Sequence, residues 1–215
     1  MRPCRDLERL RDTARYKLRK LREMALNAVS TIISREREAL LSFIVIETLN
    51  TWNNFSRSYY LSCTVKPRTV TGKRITVGSL IPDFNSAIGL AVIYVRPHVT
   101  PPSSGIWHRR DEPAWHDHNL FMQFCRNIGC SNITDIQAAF SFGSRVFVDL
   151  PVFRNFFAHR NSQTGKAVAD LGPQYGVPAT LRPSQILLSR PLGRPQQLIL
   201  DQIDDLVFII ELLCD

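Results

Sequence analysis

The chain has 215 residues, 44% of them apolar, and a formal charge of +8. That length fits one elaborated domain or two very small ones, and the apolar share excludes a globally disordered chain. The positive balance favours a polyanionic partner, of which nucleic acid is the commonest.

Five cysteines, Cys4, Cys63, Cys125, Cys130 and Cys214, include no Cys-x-x-Cys pair. The odd count argues against a disulfide framework, and a reducing cytoplasm is the expected compartment. The N-terminus is charged, which does not fit a secretory signal. The apolar runs LLSFIVI and LVFII are far shorter than the ~20 residues that cross a bilayer, so a soluble protein is expected.

Residues 2–24 carry nine basic and four acidic side chains. Leu7, Leu10, Leu18, Leu21 and Met24 recur among them at helical spacing, which predicts a basic amphipathic helix over residues 1–33. Such charge runs are usually solvated faces packed by their leucines; the functional reading is an RNA-tracking or partner-binding arm. A second helix is predicted from about Arg35 to about Leu61, with Leu40, Phe43, Ile44, Leu49, Trp52, Phe55 and Tyr59 on its apolar face. Glu47, Thr51, Asn54 and Ser58 form a polar stripe through it, either an exposed edge or the lining of a pocket.

Residues 64–80 are rich in β-branched side chains with Gly72 as a turn signal, which suggests a short hairpin. Pro82 and Asp83 lead into a helix beginning near Phe84. The segment 97–113, with its prolines and no periodicity, is expected to be a mobile loop. Helical spacing resumes after Pro113. Another helix follows Ser131, with Ser131 or Thr134 as its cap. The next includes VDLPVFRNFFAHRN, with Asp149 as its cap and Pro151 in the first turn. Residues 162–194 read as irregular chain. The last helix, from about Pro195 to Cys214, turns Leu198, Ile199, Ile203, Leu206, Ile209, Ile210 and Leu213 inward. The expected class is all-α, an up-and-down bundle with an N-terminal extension (1–33) and a helical domain (34–215) interrupted at about 64–80 and 97–113.

The segment PVFRNFFAHRN concentrates the chemistry. Asn155 and His159 are four apart and share a helical face, and Arg154 lies beside Asn155. Arginine offers a fixed fork of donors to phosphoryl oxygens and keeps its charge. Histidine titrates near neutrality and can accept or give a proton, and asparagine can orient either partner. The bare spacing is uninformative, because Arg109 and Arg110 stand in similar spacing to His116. Arg154 and His159 could also simply end an aromatic helix, with His159 favouring its C-terminal dipole.

The extended string Arg-Asn-Phe-Phe-Ala-His-Arg, residues 154–160, resembles the Arg-x4–6-His motif of the HEPN superfamily of α-helical ribonucleases and their inactive relatives. In that family a polar residue, often asparagine, follows the arginine, and alanine or glycine commonly flanks the histidine. Arg154, Asn155, Ala158 and His159 fit those places. The resemblance covers the bundle helices and leaves out the basic N-terminal helix and residues 64–112.

The resemblance implies a metal-independent endoribonuclease without cofactor, with two protomers lining one cleft. His159 would act as general base or acid, Arg154 would stabilise the transition-state charge, Asn155 would position either group, and the product would carry a 2′,3′-cyclic phosphate. Glu47, Asn54 and Arg160 are candidates to line the same cleft. The implied partners are an RNA substrate, a second copy of the chain and a restraining antitoxin, as in toxin–antitoxin or antiphage systems. The alternative is a catalytically silent HEPN-like module that binds nucleic acid or a protein.

Other constellations are weaker. His116, Asp117 and His118, with His108 upstream, suggest a metal site less than a helix start with Asp117 near its dipole. Cys125 and Cys130 lack a companion base nearby in sequence, so neither is expected to be a nucleophile.

Overall fold

The computed structural model describes residues 1–30 and 34–215. The described residues are all helix and connecting chain, with no named strand. The expected boundary after residue 33 falls on 31–33, outside the described residues. Nine α-helices follow in chain order: α1 (Leu7–Ser30), α2 (Arg35–Cys63), α3 (Phe84–Val95), α4 (His118–Asn127), α5 (Ile133–Phe140), α6 (Val146–His159), α7 (Ser162–Ala169), α8 (Pro183–Leu188) and α9 (Leu198–Cys214) among the described residues. None of them is long and apolar enough to cross a membrane.

The longest helices follow their apolar periodicity. In α1, Asp6 caps the start by accepting from the Glu8 amide at 2.9 Å, and Leu7, Leu10, Leu18 and Leu21 are buried. All seven apolar residues expected to face inward on α9 are buried. Helix α2 is more deeply buried than a surface helix requires. Of its expected polar stripe, Thr51 and Ser58 are buried, whereas Phe43, expected on the apolar face, is half exposed.

The chain divides into two compact units. The first comprises residues 1–14, 52–142 and 209–215. Its core is aromatic: the Tyr60 ring lies 5.3 Å from Trp115, Trp115 lies 5.4 Å from Phe124, and Tyr59 lies 5.7 Å from Phe121. Such edge and tilted pairs add attraction beyond the area they bury. The polar tips are satisfied as well, with the Tyr60 hydroxyl donating to the Ala87 carbonyl at 3.0 Å and Ser56 to the Trp115 carbonyl at 2.6 Å.

The hairpin expected at 64–80 reduces to a turn. The Thr69 amide bonds the Lys73 carbonyl at 2.9 Å, Gly72 has a positive φ, and Arg68 and Arg74 form one antiparallel bridge. Helix α3 starts as expected, with Asp83 accepting from the Ser86 amide at 2.7 Å. That bond also holds the Asp83 carboxyl below its ordinary range.

The segment 97–113, expected to be mobile, is tied down. Asn85 grips it from α3, donating to the Gly105 carbonyl at 2.6 Å and accepting from the Trp107 amide at 2.9 Å. Gly89 admits the Trp107 ring, since a Cβ there would sit 2.7 Å from its Nε1. Neither Ser131 nor Thr134 caps α5. Asn132 holds the cap position, but its side chain donates to the Tyr59 hydroxyl at 2.7 Å instead.

The second unit comprises residues 15–51 and 143–208. Residues 162–194, expected to be irregular, contain α7, α8 and a 3-10 turn at Gly172–Tyr175. A reciprocal pair of bonds between Asn161 and Thr164 starts α7, and Pro183 occupies the first turn of α8. The apolar core of this unit includes Leu18, Leu41, Ile44, Leu150, Phe153, Ile186 and Ile203.

Candidate active site

Helix α6, which carries the Arg154–Arg160 string, lies wholly in the second unit. It begins at Val146, earlier than expected, so Asp149 is an interior residue and Pro151 the sixth of the helix. At that start the Val146 amide donates to Ser144 Oγ at 3.1 Å, and just inside it lies a side-chain network that sequence reading missed. Asp149 is fully buried and receives Arg145 Nε at 2.9 Å and Nη2 at 3.0 Å. The Tyr175 hydroxyl donates to the same carboxylate. A bidentate arginine and a phenol satisfy the buried charge. The bond to Asp149 raises Arg145 above its ordinary value, and burial, aided by the same carboxylate, pushes the Tyr175 phenol up. The Arg145–Asp149 spacing of four was the one signal in the sequence; nothing there pointed to Tyr175.

The C-terminal half of α6 behaves differently. Phe153 and Phe157 are buried and fix that half on its aromatic side, while Phe156 packs beside Gly165 of α7. Asn155 and His159 are exposed, and Arg154 is half-buried. At about 100° per residue, Asn155 and His159 lie about 40° apart around the axis, whereas Arg154 is turned about 140° from His159. Asn155 and His159 thus share a face as expected, and Arg154 flanks it. Among the described residues no hydrogen bond or ion pair engages the side chains of Arg154, Asn155 or His159, and none links them to one another. Arg160 ends the helix in the left-handed conformation, with φ 45° and ψ 44°, its amide bonding the Phe156 carbonyl at 2.7 Å.

The other cleft candidates are separately engaged. Glu47, in the second unit, accepts from Asn50 at 2.9 Å. Asn54 belongs to the first unit, where it accepts from Arg109 Nη2 at 3.0 Å. That bond joins it to a cluster around Glu112, whose side chain is 3% exposed. Glu112 receives Arg57 at 2.6 and 2.8 Å, Arg109 at 3.1 Å and Trp115 Nε1 at 2.7 Å.

The histidine-rich segment leads into α4. Asp117 caps α4 by accepting from the amides of Asn119 and Leu120 at 2.9 and 3.1 Å, and the His116 carbonyl accepts from Trp52 Nε1. Burial lowers His118, whose ring lies 5.4 Å from that of Phe140. His108 opens the short 3-10 turn that carries Arg109. Cys125 and Cys130 are buried, and burial pushes the Cys125 thiol well up. Among the described residues no group of three or more His, Cys, Asp or Glu side chains is placed to hold a metal ion.

Compared with protein-family models, with curated proteins and with solved structures, the chain matches none.

Proposed function

We propose that the chain is a metal-independent endoribonuclease of the HEPN type, acting as a homodimer through Arg154, Asn155 and His159. The observation that carries this reading is the unspent state of the three side chains. They sit on an aromatic-anchored helix whose buried carboxylate, Asp149, is fully engaged. Unpaired donors on a rigid support suit a ligand that arrives from outside. The charge of +8 favours a polyanion, and the resemblance of residues 154–160 favours RNA. Within one chain Arg154 points well away from the face of His159. A second copy would let the guanidinium of one protomer meet the imidazole of the other.

In this reading His159 accepts the proton of the ribose 2′-hydroxyl. The 2′-oxygen attacks phosphorus, the bond to the 5′-oxygen breaks, and that oxygen takes a proton from the second histidine. The product ends in a 2′,3′-cyclic phosphate. Arg154 holds the non-bridging oxygens as negative charge grows on them, and Asn155 orients the attacking group. A cytoplasmic toxin held by a cognate antitoxin is the biological setting this chemistry fits.

The test is total RNA incubated with purified protein in chelator, with cyclic-phosphate ends scored. His159→Ala should lower cleavage by about 10²–10⁴-fold while the helical spectrum is unchanged. Absence of cleavage by the wild-type protein, or a monomer at every working concentration, would overturn the proposal. A second reading, a silent module that binds nucleic acid, is favoured by the exposed basic residues Arg9, Lys17, Arg19 and Lys20 on α1. It predicts salt-sensitive RNA binding without cleavage.

A further inference from the structure

A cavity of about 200 Å³ opens in the second unit, walled by the start of α6, by Tyr175, by Pro191–Arg194 and by the first turns of α9. It is smaller than the pockets of about 300–1,000 Å³ that take drug-sized ligands, so it suits a small ion or one side chain. Its polar wall is not self-sufficient. Gln202, 3% exposed, lines it with neither amide atom hydrogen-bonded, and Oδ2 of neighbouring Asp201 has no partner either. Four residues after Asp201, Asp205 shares the lining and accepts from Ser144 at 2.5 Å through one oxygen. Buried polar groups are ordinarily paired, so these unspent atoms, the acceptors Asp201 Oδ2 and Gln202 Oε1 and the donor Gln202 Nε2, need an explanation.

We infer that this cavity binds a guanidinium or alkylammonium group, seated between Asp201 and Asp205 and donating to the Gln202 carbonyl. Charge selects this ligand. Arg145 is neutralised by Asp149, so the uncompensated ions facing the cavity are Arg194, Asp201 and Asp205, an excess of one negative charge. An anion would deepen that excess. A neutral nucleobase would leave it uncorrected. A cation corrects it, and a planar guanidinium also matches a carboxylate with two parallel N–H bonds. Burial, with Asp201 and Asp204 adding to it, raises the Asp205 carboxyl above its ordinary range. Exposed Arg194 borders the mouth and attracts Asp205, so it occupies the approach that the ligand must take.

The group could belong to a free metabolite or to an arginine or lysine of a partner protein. The inference does not depend on nuclease activity, and its test uses no RNA. Calorimetric titration of the full chain with agmatine and with N-acetyl-Gly-Arg-Gly-amide should show saturable binding of at least one. Tighter agmatine identifies a free ion, and a tighter peptide identifies a protein side chain. Asp201→Asn with Asp205→Asn, which keeps the volume while removing both charges, should weaken binding at least tenfold. Gln202→Leu should weaken it too while raising the melting temperature of the free protein, a split that a purely structural glutamine would not give. No saturable binding to wild type, unchanged binding to the double variant, or preference for guanosine or glutarate overturns the inference.

Discussion

Glu112 in the first unit and the Arg154–His159 segment in the second treat polar groups in opposite ways. Around Glu112 two arginines and an indole N–H converge on one buried carboxylate. Along the end of α6 an amide and an imidazole share one face and an arginine lies on another, none of the three side chains hydrogen-bonded or ion-paired among the described residues. Both regions are rich in arginine, and composition does not tell them apart. Burial does. A buried carboxylate must be matched by donors or the fold fails, whereas an exposed donor is satisfied by water and stays available. The first arrangement holds a loop in place, and the second leaves its polar groups to solvent.

The largest test of this contrast is Glu112→Ala. It leaves Arg57 and the Trp115 N–H facing a void, and stability should fall by about 3 kcal/mol or more in denaturant unfolding. A drop as small as that of a surface substitution would break the contrast, because the cluster would then be no more consequential than the exposed trio. Next comes Arg160→Gly. A non-glycine residue in the left-handed region costs about 1 kcal/mol, so glycine should raise the melting temperature and leave the Glu112 region untouched.

The smallest effect concerns Asp205, whose carboxyl is held above its ordinary value of 3.8 by burial, with Asp201 and Asp204 adding to it. The folded protein therefore binds this proton more tightly than the unfolded chain does. The associated stability is full below the ordinary value and is lost as pH rises through the folded one. Asp205→Asn should accordingly be the more stable protein at neutral pH, by roughly a few tenths of a kcal/mol because the group is only half-buried and water screens it. The advantage should vanish in acid. A loss of stability at neutral pH would mean that the Ser144 bond outweighs the repulsion.

What the sequence disclosed followed the strength of each local pattern. Helices α1 and α9 were legible because their leucines and isoleucines recur over many turns, and α3 because Asp83 precedes an unbroken apolar run. Helices α7 and α8 were hidden by Gly165, Pro173, Gly176, Pro178 and Pro183, although the Asn161-to-Thr164 spacing is a capping signal of its own. The start of α6 was misplaced because Pro151 looked like a first-turn residue. Asp149 is instead an interior residue on which Tyr175, 26 positions later, closes, and periodicity carries no information about such a contact.

For the site, the residue types on α6 were readable, and so was the common face of Asn155 and His159. The half-buried setting of Arg154 was not, because it depends on neighbours from other elements. The cavity was wholly illegible, since its walls come from stretches scattered over some sixty residues.

The corner at Arg160 and Asn161 bears on how this chain could vary. One residue reverses the backbone hand, and the next is locked to Thr164 as the opening of α7. Neither helix can therefore absorb an added or missing residue by lengthening or shortening. An insertion or deletion between His159 and Thr164 would need a new bend, so the length of this corner sets where α7 begins relative to His159.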